Sequence, residues 1–82
     1  MASIGQVMRA SKSARIHSHW QVRAEDGSDL ECVVKRNSSP GVNLYWLLFF
    51  RNGKGWYAKQ ATPTVFREKH LHGLNRLWQQ IA

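Results

Sequence analysis

Four histidines, one cysteine and five acidic residues are the side chains here best suited to metal binding, proton transfer or covalent chemistry. The histidines form two H-x-H pairs, His17 with His19 and His70 with His72. That spacing puts both rings on one face of a strand but points them apart on a helix. Only His17 and His19 could therefore share a metal. With no cysteine or carboxylate set nearby the ligand shell is incomplete, so no metal and no cofactor is expected. Cys32 alternates with apolar neighbours and reads as a small buried hydrophobe, not an activated thiolate. Four of the five acids, Glu25, Asp26, Asp29 and Glu31, fall within seven residues and mark a turn. Paired carboxylates for general acid–base work have no support beyond them. "RNGKG" has glycines but leads into a hairpin, not into a helix that would cradle phosphate. No enzymatic activity is expected.

The stronger pattern is cationic. The chain carries 12 Lys and Arg against 5 Asp and Glu, for a formal net charge of +7 and a pI near 10.4. Outside Glu25–Glu31 all 12 bases face a single acid, Glu68. Such a surface attracts polyanions over long range, nucleic acid first and anionic membrane second. Arg23 and Lys35 fall on the polar face of a first hairpin, and Arg51 and Lys54 at the tip of a second. Tyr57 and Lys59 share a face with Trp46, where bases could stack while lysines hold phosphates. Lys12 and Arg15 add cations near the N-terminal end. These residues point to non-specific nucleic-acid binding, to DNA or RNA. The competing reading is an interaction module that binds or inhibits an acidic protein partner.

The elements that must position these residues follow from period. Ile16 to Ala24 and Leu30 to Arg36 alternate as half-buried strands around the acidic turn "EDGSD". An odd-length loop keeps their faces in register, with Ala24 opposite Leu30, Val22 opposite Cys32, Trp20 opposite Val34 and Arg23 opposite Glu31. "NSSPG", 37–41, reads as a solvent loop. "NLYWLLFFRNGKGWYAKQ" then folds on Asn52-Gly53 as a type I′ hairpin. Uninterrupted pairing sets Phe49 opposite Trp56 and Leu48 opposite Tyr57. Thr62-Pro63-Thr64 starts a helix whose apolar stripe, Phe66, His70, Leu74, Leu77, Trp78 and Ile81, runs to the C-terminal end. Gly73 is its weak point. The fold class expected is α+β: about four antiparallel strands in two hairpins, with one C-terminal helix packed on one face.

One helix covers one face, and the second hairpin is apolar on both. The second face, with Trp46, Leu48 and Phe50, is therefore assigned to a homodimer interface, the commonest solution for a self-complementary apolar surface. A folded-back N-terminal arm or a ligand are the other covers. Residues 1–14 read as a mobile basic arm preceding a single domain at 15–82, with Ser3 and Gln6 at capping-box spacing for one helical turn. The lone cysteine fits a reducing, cytoplasmic setting. The longest apolar run, Leu44 to Phe50, is far short of the ~18 residues a membrane span requires.

Overall fold

The computed structural model describes Gly5, residues 14–39 and residues 42–82. Strands β1 (Arg15–Arg23), β2 (Asp29–Ser39), β3 (Val42–Arg51) and β4 (Lys54–Ala61) are followed by a helix of 15 residues and a short strand β5 (Gln79–Gln80). The sheet is antiparallel, in the order β4-β3-β2-β1-β5, with β4 at one edge and β5 at the other. The fold is α+β.

The Asn52-Gly53 turn forms as its chemistry requires: both residues have positive φ, 49° and 80°, and Arg51 pairs with Lys54. At the first hairpin the odd parity holds, but the loop slides by one residue. Trp20 pairs with Cys32, Val22 with Leu30, and Arg23 with Asp29, not Glu31. The slide lets Arg23 bridge Asp29 at 3.1 Å, and Asp26 accept the Ser28 N–H at 2.9 Å inside the turn. "NSSPG" is mostly strand, because Asn37, Ser38 and Ser39 pair with Leu44, Asn43 and Val42. Only Pro40 and Gly41 separate β2 from β3.

Two bulges change which side chains share a face. In β1 the register breaks between Ile16 and Ser18, so His17 is the extra residue. Ile16 is turned out to 66% exposure while Ser18 is buried. The Ser18 Oγ accepts a hydrogen bond from Trp20 Nε1 at 2.8 Å and lies 2.9 Å from His17 Nδ1, so this buried hydroxyl is satisfied. In β4 the break falls between Phe49 and Phe50: Phe50 pairs with Gly55, but Phe49 pairs with Tyr57 and Leu48 with Ala58. Trp56 is the residue squeezed out, next to a glycine that marks such a kink.

Thr62 caps the helix, its Oγ1 accepting from Val65 N–H at 3.4 Å, and Pro63 follows in the first turn. The helix consists of α1 (Pro63–Val65), a wide π segment (Phe66–Leu71) and α2 (His72–Leu77). The wide turn adds a residue and rotates the stripe. Phe66 and Leu74 are buried and Trp78 packs beside them, while Leu77 is 69% exposed. The helix stops at Leu77 rather than running on. Trp78 is extended, Gln79 and Gln80 pair with β1, and Ile81, 44% exposed, donates its N–H to the His19 carbonyl at 2.8 Å. The free edge of β1 offers backbone groups that another helical turn would leave unpaired.

The helix side of the sheet holds the larger core: Trp20, Cys32, Val34, Tyr45, Leu47 and Ala61 under Phe66 and Leu74. Tyr45 and Phe66 stack at 3.9 Å. On the other side Trp46, Leu48 and Ala58 form a second cluster, with Ala14, Val33, Leu44 and Phe50 around them. The assignment of Trp46, Leu48 and Phe50 to an interface starts from an uncovered face. Within the single chain Trp46 and Leu48 already retain only 6% and 2% exposure, and Phe50 is half-buried.

Candidate nucleic-acid interface

The acidic turn consumes part of the positive charge. Arg51 bridges Asp26, which also accepts from Ser28. The Asp26 carboxyl is held below its ordinary pKa, first by the hydrogen bonds from Ser28 and then by Arg51. Arg23 is tied to Asp29, and Glu31 to His19, Nε2 to Oε2 at 2.8 Å. Thus Asp26, Asp29 and Glu31 are paired locally. Lys54, Lys59, Arg67, Lys69 and Arg76 form no ion pair with an acid among the described residues and are exposed.

The free cations and the exposed aromatics meet along the β4 edge. The Trp56 ring, 51% exposed, lies edge-on to Tyr57 at 4.9 Å, with the Arg51 guanidinium 5.7 Å from its centroid. Tyr57 stacks on Phe49 at 4.6 Å and carries the Lys59 ammonium 5.7 Å from its ring. Burial raises the Tyr57 hydroxyl pKa, with a smaller push from Cys32, in the same cross-strand row beyond Phe49. From the helix, half-buried His70 closes the strip. Its pKa is lowered from 6.5, by burial first, then by Lys59 and by Lys69. At neutral pH His70 is therefore an uncharged donor–acceptor beside two ammonium groups. Trp56, Tyr57, Lys59, Lys69 and His70 together offer a π-face, a polar ring and two anion-binding charges, with Arg51, already bridged to Asp26, beside the Trp56 ring.

The structure brings together only some of the residues singled out from sequence. Arg51, Tyr57 and Lys59 belong to the strip, and Lys54 stands exposed beside Arg51 at the hairpin tip. Trp46 does not share their face: the β4 bulge turns Tyr57 and Lys59 to the helix side and leaves Trp46 buried on the other. Lys35 also lies away from the strip, one strand in from Ile16. Arg15 starts β1, three strands from β4. Arg23 is occupied by Asp29. Lys12 and the turn at Ser3 and Gln6 lie outside the described residues. Trp56 and His70 are additions, and the helix sets Lys69 beside His70. Gly55 beside a two-residue turn was the available signal for Trp56. Lys69 and His70 required knowing how the π segment sets the helix on the sheet.

His17 and His19 are separated by the β1 bulge. His17 packs edge-on against Tyr45 and Phe66, at 5.3 and 5.5 Å, while His19 faces Glu31 on the opposite side. They cannot share a metal, and no group of three or more His, Cys, Asp or Glu converges among the described residues. Cys32 is fully buried, and burial pushes its thiol up to about 12. A shallow depression of about 390 Å³ lies over Gln21, Arg23, Asp29, Glu31 and Gln79, at the far side of the sheet from the strip. No helix among the described residues is long and apolar enough to cross a membrane. Set against family models, curated proteins and solved structures, the chain matches none.

Proposed function

We propose that this chain is a small basic nucleic-acid-binding protein that holds single strands, with little regard to sequence, along the β4 edge and the adjoining helix. The observation that carries the reading is Trp56: a ring 51% exposed beside Arg51, Tyr57 and Lys59. A base can stack on that ring while Lys59 and Lys69 take the flanking phosphates. The exposed side of the helix offers Arg67, Lys69 and Arg76, which suit phosphates; among the described residues of the strip, base edges meet no array of amides or paired donors to read them. Tyr57 is the weaker platform, since one of its faces is taken by Phe49. The reading includes no catalytic step.

A second reading rests on the same edge. Among the described residues β4 is an edge strand with a neighbour on one side alone, and an acidic peptide could add as a further strand beside Lys54 and Lys59. Competition separates the two. A fluorescent oligonucleotide bound to the protein is challenged with unlabelled oligonucleotide or with polyglutamate of equal charge. The proposal expects displacement by the oligonucleotide at much lower concentration. Equal or better displacement by polyglutamate would move the assignment to an acidic protein partner.

A further inference from the structure

We infer that Lys59, Lys69 and His70 form one anion site, and that its ligand is the end of a strand: a phosphate monoester, not a phosphodiester within the chain. The inference rests on the single-strand reading above and narrows it. The rows of the sheet place the three residues together. Phe66 stacks on Tyr45, in the row that ends at Ala61, and Trp78 meets Phe49, in the row that ends at Tyr57. The middle of the helix therefore crosses the helix-side row between them, Leu47 with Lys59. His70 is half-buried at that level, with Lys69 exposed beside it. The Lys59 ammonium lies on the same side of the sheet, 5.7 Å from the Tyr57 ring.

No group in the described chain offsets this charge. Among the described residues neither lysine pairs with an acid, and the His70 ring has no hydrogen-bond partner. Glu68, the one acid of the helix, stands two residues before His70 and so faces away from it. The Tyr57 hydroxyl, its pKa raised by burial, stays neutral. Two ammonium groups and a half-buried imidazole therefore oppose one another at one level, and the lowered pKa of His70 reflects it, through burial first and then Lys59 and Lys69. A phosphate monoester carries a charge of about −1.5 to −2 and three acceptor oxygens, matching Lys59 Nζ, Lys69 Nζ and a ring N–H of His70. A phosphodiester brings a single charge and fewer free oxygens, so it serves the lysines and leaves the imidazole without a counter-charge. The terminal base then lies toward Trp56, the exposed ring beside Tyr57.

Anisotropy of one internally labelled single strand, prepared with a 5′-phosphate, a 3′-phosphate or hydroxyls at both ends, tests this at about 50 mM salt. One of the phosphorylated strands should bind about tenfold tighter than the hydroxyl strand. His70→Gln and Lys69→Gln should each remove most of that ratio. Arg76→Gln, more than a turn further along the helix, should lower both affinities alike and keep it. Equal affinity of all three strands overturns the inference and leaves single-strand binding standing; binding of none removes both. A ratio that survives His70→Gln and Lys69→Gln, or falls as far in Arg76→Gln, also overturns it. Inorganic phosphate separates a strand end from a free ion. Shifting the His70 ring signals by NMR should take about tenfold or more inorganic phosphate than phosphorylated strand, because the stacked base adds affinity. Equal potency would make this a site for free phosphate and contradict the assignment.

Discussion

Cys32 and His70 show how position decides the chemistry of a single side chain. The Cys32 thiol, with a pKa pushed up to about 12 and no exposure, stays protonated through the neutral range. A thiol reagent is expected to leave the native protein unmodified and to titrate one group after denaturation; rapid labelling of native protein would show the thiol to be accessible. His70 carries the opposite shift. Its folded pKa lies below 6.5, so between 6.5 and that lower value the unfolded chain binds a proton that the folded chain does not. Its contribution to stability is therefore present above pH 6.5 and declines as the pH falls through the folded pKa. A bound polyanion offsets the Lys59 and Lys69 ammonium groups, raises that pKa and so takes up a proton. Oligonucleotide affinity is expected to rise as pH drops below about 6.5. Following the His70 ring by NMR with and without oligonucleotide checks both signs; an unchanged titration would remove His70 from the interface.

At the scale of elements, the helix is held by packing more than by its own propensity. It contains a π segment and Gly73, yet a Cβ added at Gly73 would meet nothing within 4 Å. Gly73→Ala is expected to stabilise the protein by about 0.5–1 kcal/mol in a urea titration; a loss of stability would mean that the helix relies on a backbone freedom not visible here. Phe66, 1% exposed and stacked on Tyr45, is the contrasting position, where Phe66→Ala should cost about 3–5 kcal/mol. The two hairpins, the I′ turn, the helix start at Thr62-Pro63-Thr64 and the burial of Trp20, Cys32 and Val34 were legible because each rests on local chemistry or a period of two. What the sequence hid were slips of one residue. A bulge at His17 and another at Trp56 cost little in backbone pairing and leave no repeat behind, yet each reverses which face the neighbouring side chains occupy. The π segment did the same to Leu77. The candidate strip was accordingly half legible: Arg51, Tyr57 and Lys59 stood out as a basic–aromatic run, whereas Trp56, Lys69 and His70 join them only through a bulge and the seating of a helix.

For the molecule as a whole, charge is divided between paired and unpaired cations. The acidic turn neutralises Arg23 and Arg51 and fixes the two hairpins to each other, since Asn52 Oδ1 also accepts from Asp29 N–H at 2.9 Å. Lys54, Lys59, Arg67, Lys69 and Arg76, which pair with no acid among the described residues, lie on the helix and the β4 edge, where the proposed strand would bind. Trp56→Ala should weaken binding of a single strand by about 1–3 kcal/mol if its ring carries a base, with little effect on duplex; equal losses on both would make the ring a support and not a platform. The most direct measurement is fluorescence anisotropy of a labelled single strand and its duplex from about 50 to 200 mM salt, with wild type and Lys59→Gln/Lys69→Gln. Three to five phosphate contacts predict that log K falls linearly against log salt with a slope of about −2 to −4. Single strand should bind tighter than duplex, and the double variant should flatten the slope by about 1.5. No binding at about 50 mM salt, or the same slope in the variant as in wild type, would contradict the account.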